Sequence, residues 1–383
     1  MSNISPQASQ GGHGGHGGHG GHGGHGGHGE EDDVFFGTDA PLVADALINN
    51  RDGIVGSFLR PEAVPPELEL EDSANMARWA QERREQVVDF ELHSRIGFSQ
   101  GTDDSPGSMN VWHLDVEPDR DAAVPNVEYR PLVRMVRPTE RVFFGQLALV
   151  ANYADLRADR VTEILVQRDG PAAFLASIAY IAPNRARWTL ELLGAVFRLA
   201  QFVEFRMKHA LACRRPMEYS PQIQPMILTP EHGSLPSGHS TESFAMAIVL
   251  VQLLRASTNP VYEQHTYAIQ LLRQAARVAV NRQVAGVHFP VDSAAGALLG
   301  LTLGQYFCRR LSGEADFYAW SFDGEAYPED ADFDWTGWYD VRQQRQTAPD
   351  ARSPCAAELG SHKLGAASSI LTWLWEKALA EWS

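Results

Sequence analysis

From Pro138 as far as Leu311, apolar residues recur every three or four positions with few gaps. The spacing predicts helices over 139–155, 159–168, 171–181, 184–211, 238–256, 261–284 and 290–310, each bounded by Pro, Gly or Asn. No stretch of any length among them alternates apolar and polar residues, so the pattern predicts an all-α helical bundle. Upstream the signal is thinner. Residues 33–70 are rich in Pro and Asp and show no clear period. Asp72-Ser73 offers an N-cap for a helix through Leu92, with Met76, Trp79, Ala80 and Val87 on one stripe. Pro106, Gly107, Pro118 and Pro125 make 101–131 read as a long loop with at most short strands. Downstream, 312–360 is acidic and aromatic, including Trp320, Trp335, Trp338 and Tyr339, and reads as irregular surface chain. A last helix over 363–382 sets Ile370, Leu371, Leu374 and Leu379 on one face, for core packing or for docking a second subunit.

The resulting organisation is a tail (1–32), an N-terminal extension with one helix and long loops (33–137), a helical-bundle domain (138–311) and an acidic aromatic tail with a C-terminal helix (312–383). Within the tail, residues 11–28 are six Gly-Gly-His repeats. Glycine at two of every three positions costs too much backbone entropy to hold a fold, so a flexible linker is expected. Weak transition-metal binding by its imidazoles is the functional alternative.

Composition narrows the function. A chain of 383 residues, 44% of them hydrophobic, can bury a substantial core. Its net charge of -16 argues against a nucleic-acid surface and against charge-driven docking on an anionic membrane. Cys213, Cys308 and Cys355 are too few and too scattered for a disulfide framework, so a reducing compartment is expected. Polar residues, then glycine and histidine, follow Met1 with no apolar run, so no signal peptide is read. The most apolar windows, 245–254 and 294–303, are too short and interrupted to span a bilayer. A cytoplasmic or otherwise soluble protein is expected.

Against that acidic background three basic segments stand out. Lys208 is followed seven residues later by Arg215-Pro216, at the end of a long helix. Pro236-Ser237-Gly238-His239 breaks the chain and opens a helix, placing backbone N–H groups, a hydroxyl and a glycine where an anion can approach. An ordinary N-cap at Ser237 would look the same. Asn281-Arg282 ends a helix near Gly286, and Pro290 suits the first turn of the next, leaving His288 in the corner between them. Asp292, four residues on, either complements the helix dipole or accepts the His288 Nδ1 proton and leaves Nε2 free. Lys208, Arg215 and Arg282 would each pass as a solvated helix residue if alone. Together, two guanidiniums, an ammonium and two histidines suit a group with several charged oxygens.

Lys208-x6-Arg215-Pro216, Pro236-Ser237-Gly238-His239 and Arg282-x5-His288-x3-Asp292 resemble the three signature motifs of the type 2 phosphatidic acid phosphatase and vanadium haloperoxidase superfamily. The resemblance covers roughly 180–310 and implies that superfamily's helical bundle. It departs at Asn281, where the family often has Ser. It implies that Lys208, Arg215 and Arg282 hold the anion's oxygens with Ser237 and the Gly238 amide. His288 would attack phosphorus in a phosphatase, giving a phosphohistidine, or bind vanadium in a haloperoxidase, while His239 moves protons on the opposite side. In the peroxidase Lys208 would polarise the bound peroxide.

The motifs serve either chemistry. The missing signal and spans favour the peroxidase, and His232 stands where some bromide-using peroxidases carry a histidine, although a plain loop histidine is the alternative. His239 and Asn281 are 42 positions apart, a compact spacing closer to phosphatases and small bacterial peroxidases. The reading is a vanadate-dependent haloperoxidase acting on hydrogen peroxide and halide. The alternatives are a soluble phosphomonoesterase without cofactor and a non-catalytic oxyanion-binding protein.

Overall fold

The helices of the bundle fall within a few residues of the predicted spans in a computed structural model that describes residues 41–101, 106–117, 126–314, 316–349 and 354–383. The Gly-Gly-His repeats lie outside the described residues. The chain divides into two units, 1–62 and 63–383. In the first, α1 (Pro41–Ile54) occupies part of the stretch that showed no period.

In the second unit, Asp72 caps a 3-10 turn, Ser73–Arg78, its carboxylate accepting from the Ala74 amide at 2.9 Å. Next comes α2 (Gln81–His93). The bundle comprises α3 (Glu140–Asn152), α4 (Arg157–Arg168), α5 (Ala172–Ala179), α6 (Arg187–Leu211), α7 (Gly238–Ala256), α8 (His265–Val284) and α9 (Pro290–Ser312), and α10 (Ser369–Leu379) follows. At its centre α9 and α7 are buried on nearly every side. Gly296, Gly300 and Gly304 form a ridge on α9. A methyl group on Gly296 would stand 2.6 Å from the Ser237 carbonyl, and one on Gly300 would stand 2.3 Å from the Thr241 carbonyl. The helices therefore pack backbone to backbone, and their N-termini, which carry His239 and His288, are held at one fixed separation. The Ser237 amide donates to the Asp292 carbonyl at 2.9 Å, joining the two starts directly.

The all-α expectation fails outside the bundle. A five-stranded sheet forms in the order β1 (Ile96–Gln100), β2 (Ser108–Glu117), β3 (Asn126–Val136), β4 (Asp316–Asp323) and β5 (Ala356–Lys363). Three of these strands replace the loop expected over 101–131 and its flanks, and two replace the irregular chain expected over 312–360. Neighbours are antiparallel except β3 and β4, which are parallel. A parallel pair needs a crossover, and here the whole of α3 to α9 supplies it. The two extensions thus meet in one sheet.

The apolar face of α10 is buried within the unit, through Leu371, Trp373, Leu374 and Trp375. Just after it, Glu381 accepts from the Trp188 and Thr189 amides, both at 2.9 Å, and from the Thr189 hydroxyl at 2.8 Å. These are otherwise unpaired donors at the start of α6, so the carboxylate caps the helix that carries Lys208. Glu381→Ala is expected to lower stability by about 1–2 kcal/mol, as loss of an N-cap does, measured by urea unfolding. An unchanged midpoint would refute the capping role.

Among the described residues no helix is long and apolar enough to cross a membrane. All three cysteines are buried and free.

Candidate active site

Lys208 lies in the last turn of α6, and Arg215 precedes a single helical turn, Pro216–Tyr219. Ser237 and His239 start α7, Arg282 ends α8, and His288 sits two residues before α9. The structure links all of them through hydrogen bonds at one end of the bundle.

His288 is oriented from both sides. Its Nδ1 lies 3.1 Å from Asp292 Oδ2, an oxygen that also accepts from the Phe289 amide at 2.9 Å and from the Ser234 hydroxyl. With Nδ1–H donating there, Nε2 keeps its lone pair, and Arg215 Nη1 donates to it at 2.9 Å. Arg215 also donates to the Val287 carbonyl at 2.9 Å. Lys208 Nζ donates to the Pro236 carbonyl, on the segment that carries Ser237. His239 is partly buried, and its Nε2 donates to the Gln167 carbonyl at 3.1 Å.

Three buried donors are left over. Ser237 stands at the N-cap position of α7, yet its hydroxyl makes no capping bond and has no partner. Arg282 uses Nη2 on the Ile164 carbonyl at 3.0 Å and on Gln167 Oε1 at 3.4 Å, while Nε and Nη1 remain unpaired. Buried donors without acceptors are costly, each by roughly 1–3 kcal/mol and more when charged. They suit a ligand that brings acceptor oxygens. Among the described residues no group of three or more His, Cys, Asp or Glu is arranged to hold a metal cation.

Burial sets the protonation of the cluster. It pushes Lys208 down to about 8 and Arg215 and Arg282 each down to about 10. Burial, with the Arg282 charge second, takes His239 down to about 3. His288 is lowered far below the usual imidazole range, by burial and then by Arg215 and Lys208. Both imidazoles are therefore neutral near pH 7. Burial raises Asp292 to about 6, against the opposing pull of its bonds to Ser234 and Phe289.

His232 stands exposed at the rim, its Nδ1 3.2 Å from Arg215 Nη2 and its ring edge-on to Phe205 at 5.1 Å. From its loop it therefore touches Arg215 directly. Asn281, the motif departure, donates to Gln167 Oε1 at 2.9 Å and to Glu163 Oε1 at 3.0 Å. Through Gln167 it supports both Arg282 and His239.

Sequence reading missed Gln167, Glu204 and Glu242. The Glu204 carboxylate lies against Gly238, where a methyl group would come within 2.5 Å of it and force it to move. Glu242 accepts from Gln201 at 3.1 Å. Burial, then the neighbouring Glu242, raises Glu204, and burial raises Glu242 to about 7. The available signal was a single charge on each of two helix faces that the apolar pattern marks as buried. Glu204 lies one turn before Lys208, and Glu242 lies three residues after His239.

Residues 188–313 match the sequence profile described as the PAP2 superfamily. No curated protein matches the chain. The solved structures similar to part of it include the following two. One is a transmembrane PAP2 type phosphatidylglycerolphosphate phosphatase from Bacillus subtilis, 22% identical, with 41% of this chain and 72% of that chain covered and a TM-score of 0.27. The other is described as the first bacterial vanadium dependent iodoperoxidase, 17% identical, with 50% of each chain covered and a TM-score of 0.33.

Proposed function

We propose, on the premise that over residues 188–313 this chain is a member of the PAP2 superfamily of enzymes, that its cage holds a tetrahedral oxyanion and that the protein is a vanadate-dependent haloperoxidase. The unpaired Ser237 hydroxyl and Arg282 Nε and Nη1 carry the oxyanion assignment. Lys208, Arg215, the Gly238 amide and His288 Nε2 complete a donor set that suits vanadate as well as phosphate, which share shape and charge. Vanadate, when held there, would make hydrogen peroxide reactive toward halide. Lys208, Arg215, Arg282, Ser237 and Gly238 would hold its oxygens, His288 would be its ligand from the protein, and His239 would move protons. The preference for peroxidase chemistry rests on His232, which puts a second neutral imidazole against Arg215; burial and the two neighbouring cations, Lys208 and Arg215, take it down to about 4.

One observation favours a phosphatase as the second reading. The Asp292–His288 pair leaves Nε2 unprotonated, its lone pair held by Arg215 Nη1–H at 2.9 Å until a phosphoryl group would take that place, as a phosphohistidine mechanism requires. A single apo preparation separates the two, assayed with and without vanadate. The expected result is bromination or iodination of a dione reporter by hydrogen peroxide only after vanadate is added. Hydrolysis of a chromogenic phosphomonoester that vanadate inhibits, with no halogenation using either halide, would replace this reading by the phosphatase.

Either chemistry should show a bell-shaped kcat/KM profile with limbs near pH 6 and 8. Lys208 attracts the anion while protonated, so rates fall as pH rises through about 8. Asp292 holds the His288 tautomer while ionised, so rates fall as pH drops through about 6. Lys208→Arg should remove the alkaline limb, and a limb left in place would show that another group sets it.

A further inference from the structure

A cavity of about 770 Å³ opens between residues 212–218 and 225–233. That volume falls inside the range of small-molecule sites, roughly 300–1,000 Å³. It is far more room than a halide ion or hydrogen peroxide requires. The loop that frames it is pinned at several points. Arg157 donates to the Ile223 carbonyl at 2.9 Å and to the Gln224 carbonyl at 2.7 Å, and the Met226 amide donates to the Ala285 carbonyl at 3.0 Å. At the far end the Ser234 amide donates to the Cys213 carbonyl at 2.9 Å. The space is built into the backbone.

Its walls are largely apolar, from Met217, Pro225, Ile227, Leu228 and Pro230. Leu228 is 95% exposed and Met217 is 43% exposed, so this held loop keeps large apolar groups in water beside the cage. The charges there leave no free donor for an ionic ligand in the cavity. Arg215 lines it, but four of its N–H bonds go to the carbonyls of His232, Gly233 and Val287 and to the His232 ring, and the fifth, to His288 Nε2, is the one that an anion at His288 would take over. The Glu218 carboxylate accepts from the Arg215 amide at 2.6 Å. The Arg214 guanidinium lies 3.9 Å from Glu140. Proline rings and a methionine sulfur pack well against flat aromatic faces and edges.

We propose that this cavity binds an uncharged aromatic organic substrate and presents it at Arg215 and His232, next to the oxyanion cage. The proposal rests on reading that cage as catalytic, and it holds for an acceptor of oxidised halide or for the organic part of a phosphate ester. Hypohalous acid formed at the cage would then react with the bound ring before escaping, a C–halogen bond replacing a ring C–H bond while the halogen–oxygen bond breaks and the ring proton leaves with the hydroxide as water.

Indole serves as the probe, with two arms. In the first, indole binding to the vanadate-free full-length protein is followed by ligand-observed NMR. Saturable binding is expected, weakened at least tenfold by Leu228→Glu and by Met217→Glu. Both side chains are exposed, so both variants should keep the wild-type circular dichroism. No saturable binding, or binding that neither change weakens, would overturn the cavity site. In the second arm the vanadate-loaded proteins are compared in iodide oxidation without organic acceptor and in bromination of indole. The expected outcome is unchanged iodide oxidation with a tenfold or greater fall in kcat/KM for indole. Equal losses in both reactions would overturn the substrate role. If the wild type oxidises no halide, the haloperoxidase reading fails, and the binding arm still decides the cavity.

Discussion

His288→Ala is expected to cut turnover by about 1,000-fold or more, in whichever of the two reactions the protein performs, without unfolding it. His288 is the one group whose orientation is fixed at both ring nitrogens, through Asp292 Oδ2 at 3.1 Å and Arg215 Nη1 at 2.9 Å. Removing the imidazole removes the atom that would bond the anion's centre, so no other residue can stand in for it. Asp292→Asn separates bonding from orientation. An amide no longer favours the Nδ1–H tautomer, so Nε2 becomes protonated for part of the time, and a loss of about 100-fold is expected with the fold intact. The measurement is steady-state kinetics beside circular dichroism for the wild type and both variants. A His288→Ala protein that keeps a tenth of wild-type turnover would sink the assignment of His288. An Asp292→Asn protein with wild-type kinetics would leave Asp292 as a helix-dipole partner only.

The candidate cage could be proposed from the sequence because its residues sit at helix ends, where the apolar period starts or stops. Ser237, Gly238 and His239 follow a helix-breaking proline, and His288 falls between Gly286 and Pro290, so a boundary and a reactive residue were read together. The helices were legible for the same reason. Strands β2 and β3 were missed for different reasons. Along β2 the inward positions after Val111 are His113 and Asp115, while Trp112, Leu114 and Val116 lie on the less buried face. The alternation is strict although inverted in polarity, so the strand signal was present, and the flanking Pro106, Gly107 and Pro118 outweighed it as loop signals. His113 is accommodated inside by a 2.8 Å contact with the Tyr306 hydroxyl, and burial takes it down to about 3, so it is neutral. In β3, Pro131 argues against a strand, but it lies where the register shifts between Val111 and Trp112, an irregularity that tolerates proline. Glu204 and Glu242 escaped notice for a related reason. A buried carboxylate is invisible to a reading that assigns charge to the surface, and its meaning appears only when Lys208 and Gly238 are brought beside it.

The glycine ridge of α9 connects stability to the site, and Gly296→Ala and Gly304→Ala should separate the two effects. At Gly296 the added methyl group meets the Ser237 carbonyl at 2.6 Å and the Ser240 Cβ at 2.7 Å, in the first turn of α7. Backbone cannot rotate away as a side chain can, so the helices must part there. Ser237 and His239 would then move relative to His288. At Gly304 the nearest atoms are Ile248 Cγ2 at 2.2 Å and the Ala245 carbonyl at 2.8 Å. Part of that clash is relieved if the Ile248 side chain shifts, and the position lies eight residues further along, about 12 Å from Gly296 at 1.5 Å per residue. Overpacking of this kind costs about 1–3 kcal/mol, so both variants should lose several degrees of Tm. Only Gly296→Ala should also lose activity, by about 100-fold for a displacement approaching 1 Å at the reacting groups. Calorimetry and kinetics on the same two preparations decide the matter. Equal activity losses at equal stability would show that the whole ridge sets the site, and a Gly296→Ala protein with full activity would show that the starts of α7 and α9 are positioned by the Ser237–Asp292 hydrogen bond rather than by the glycine contact.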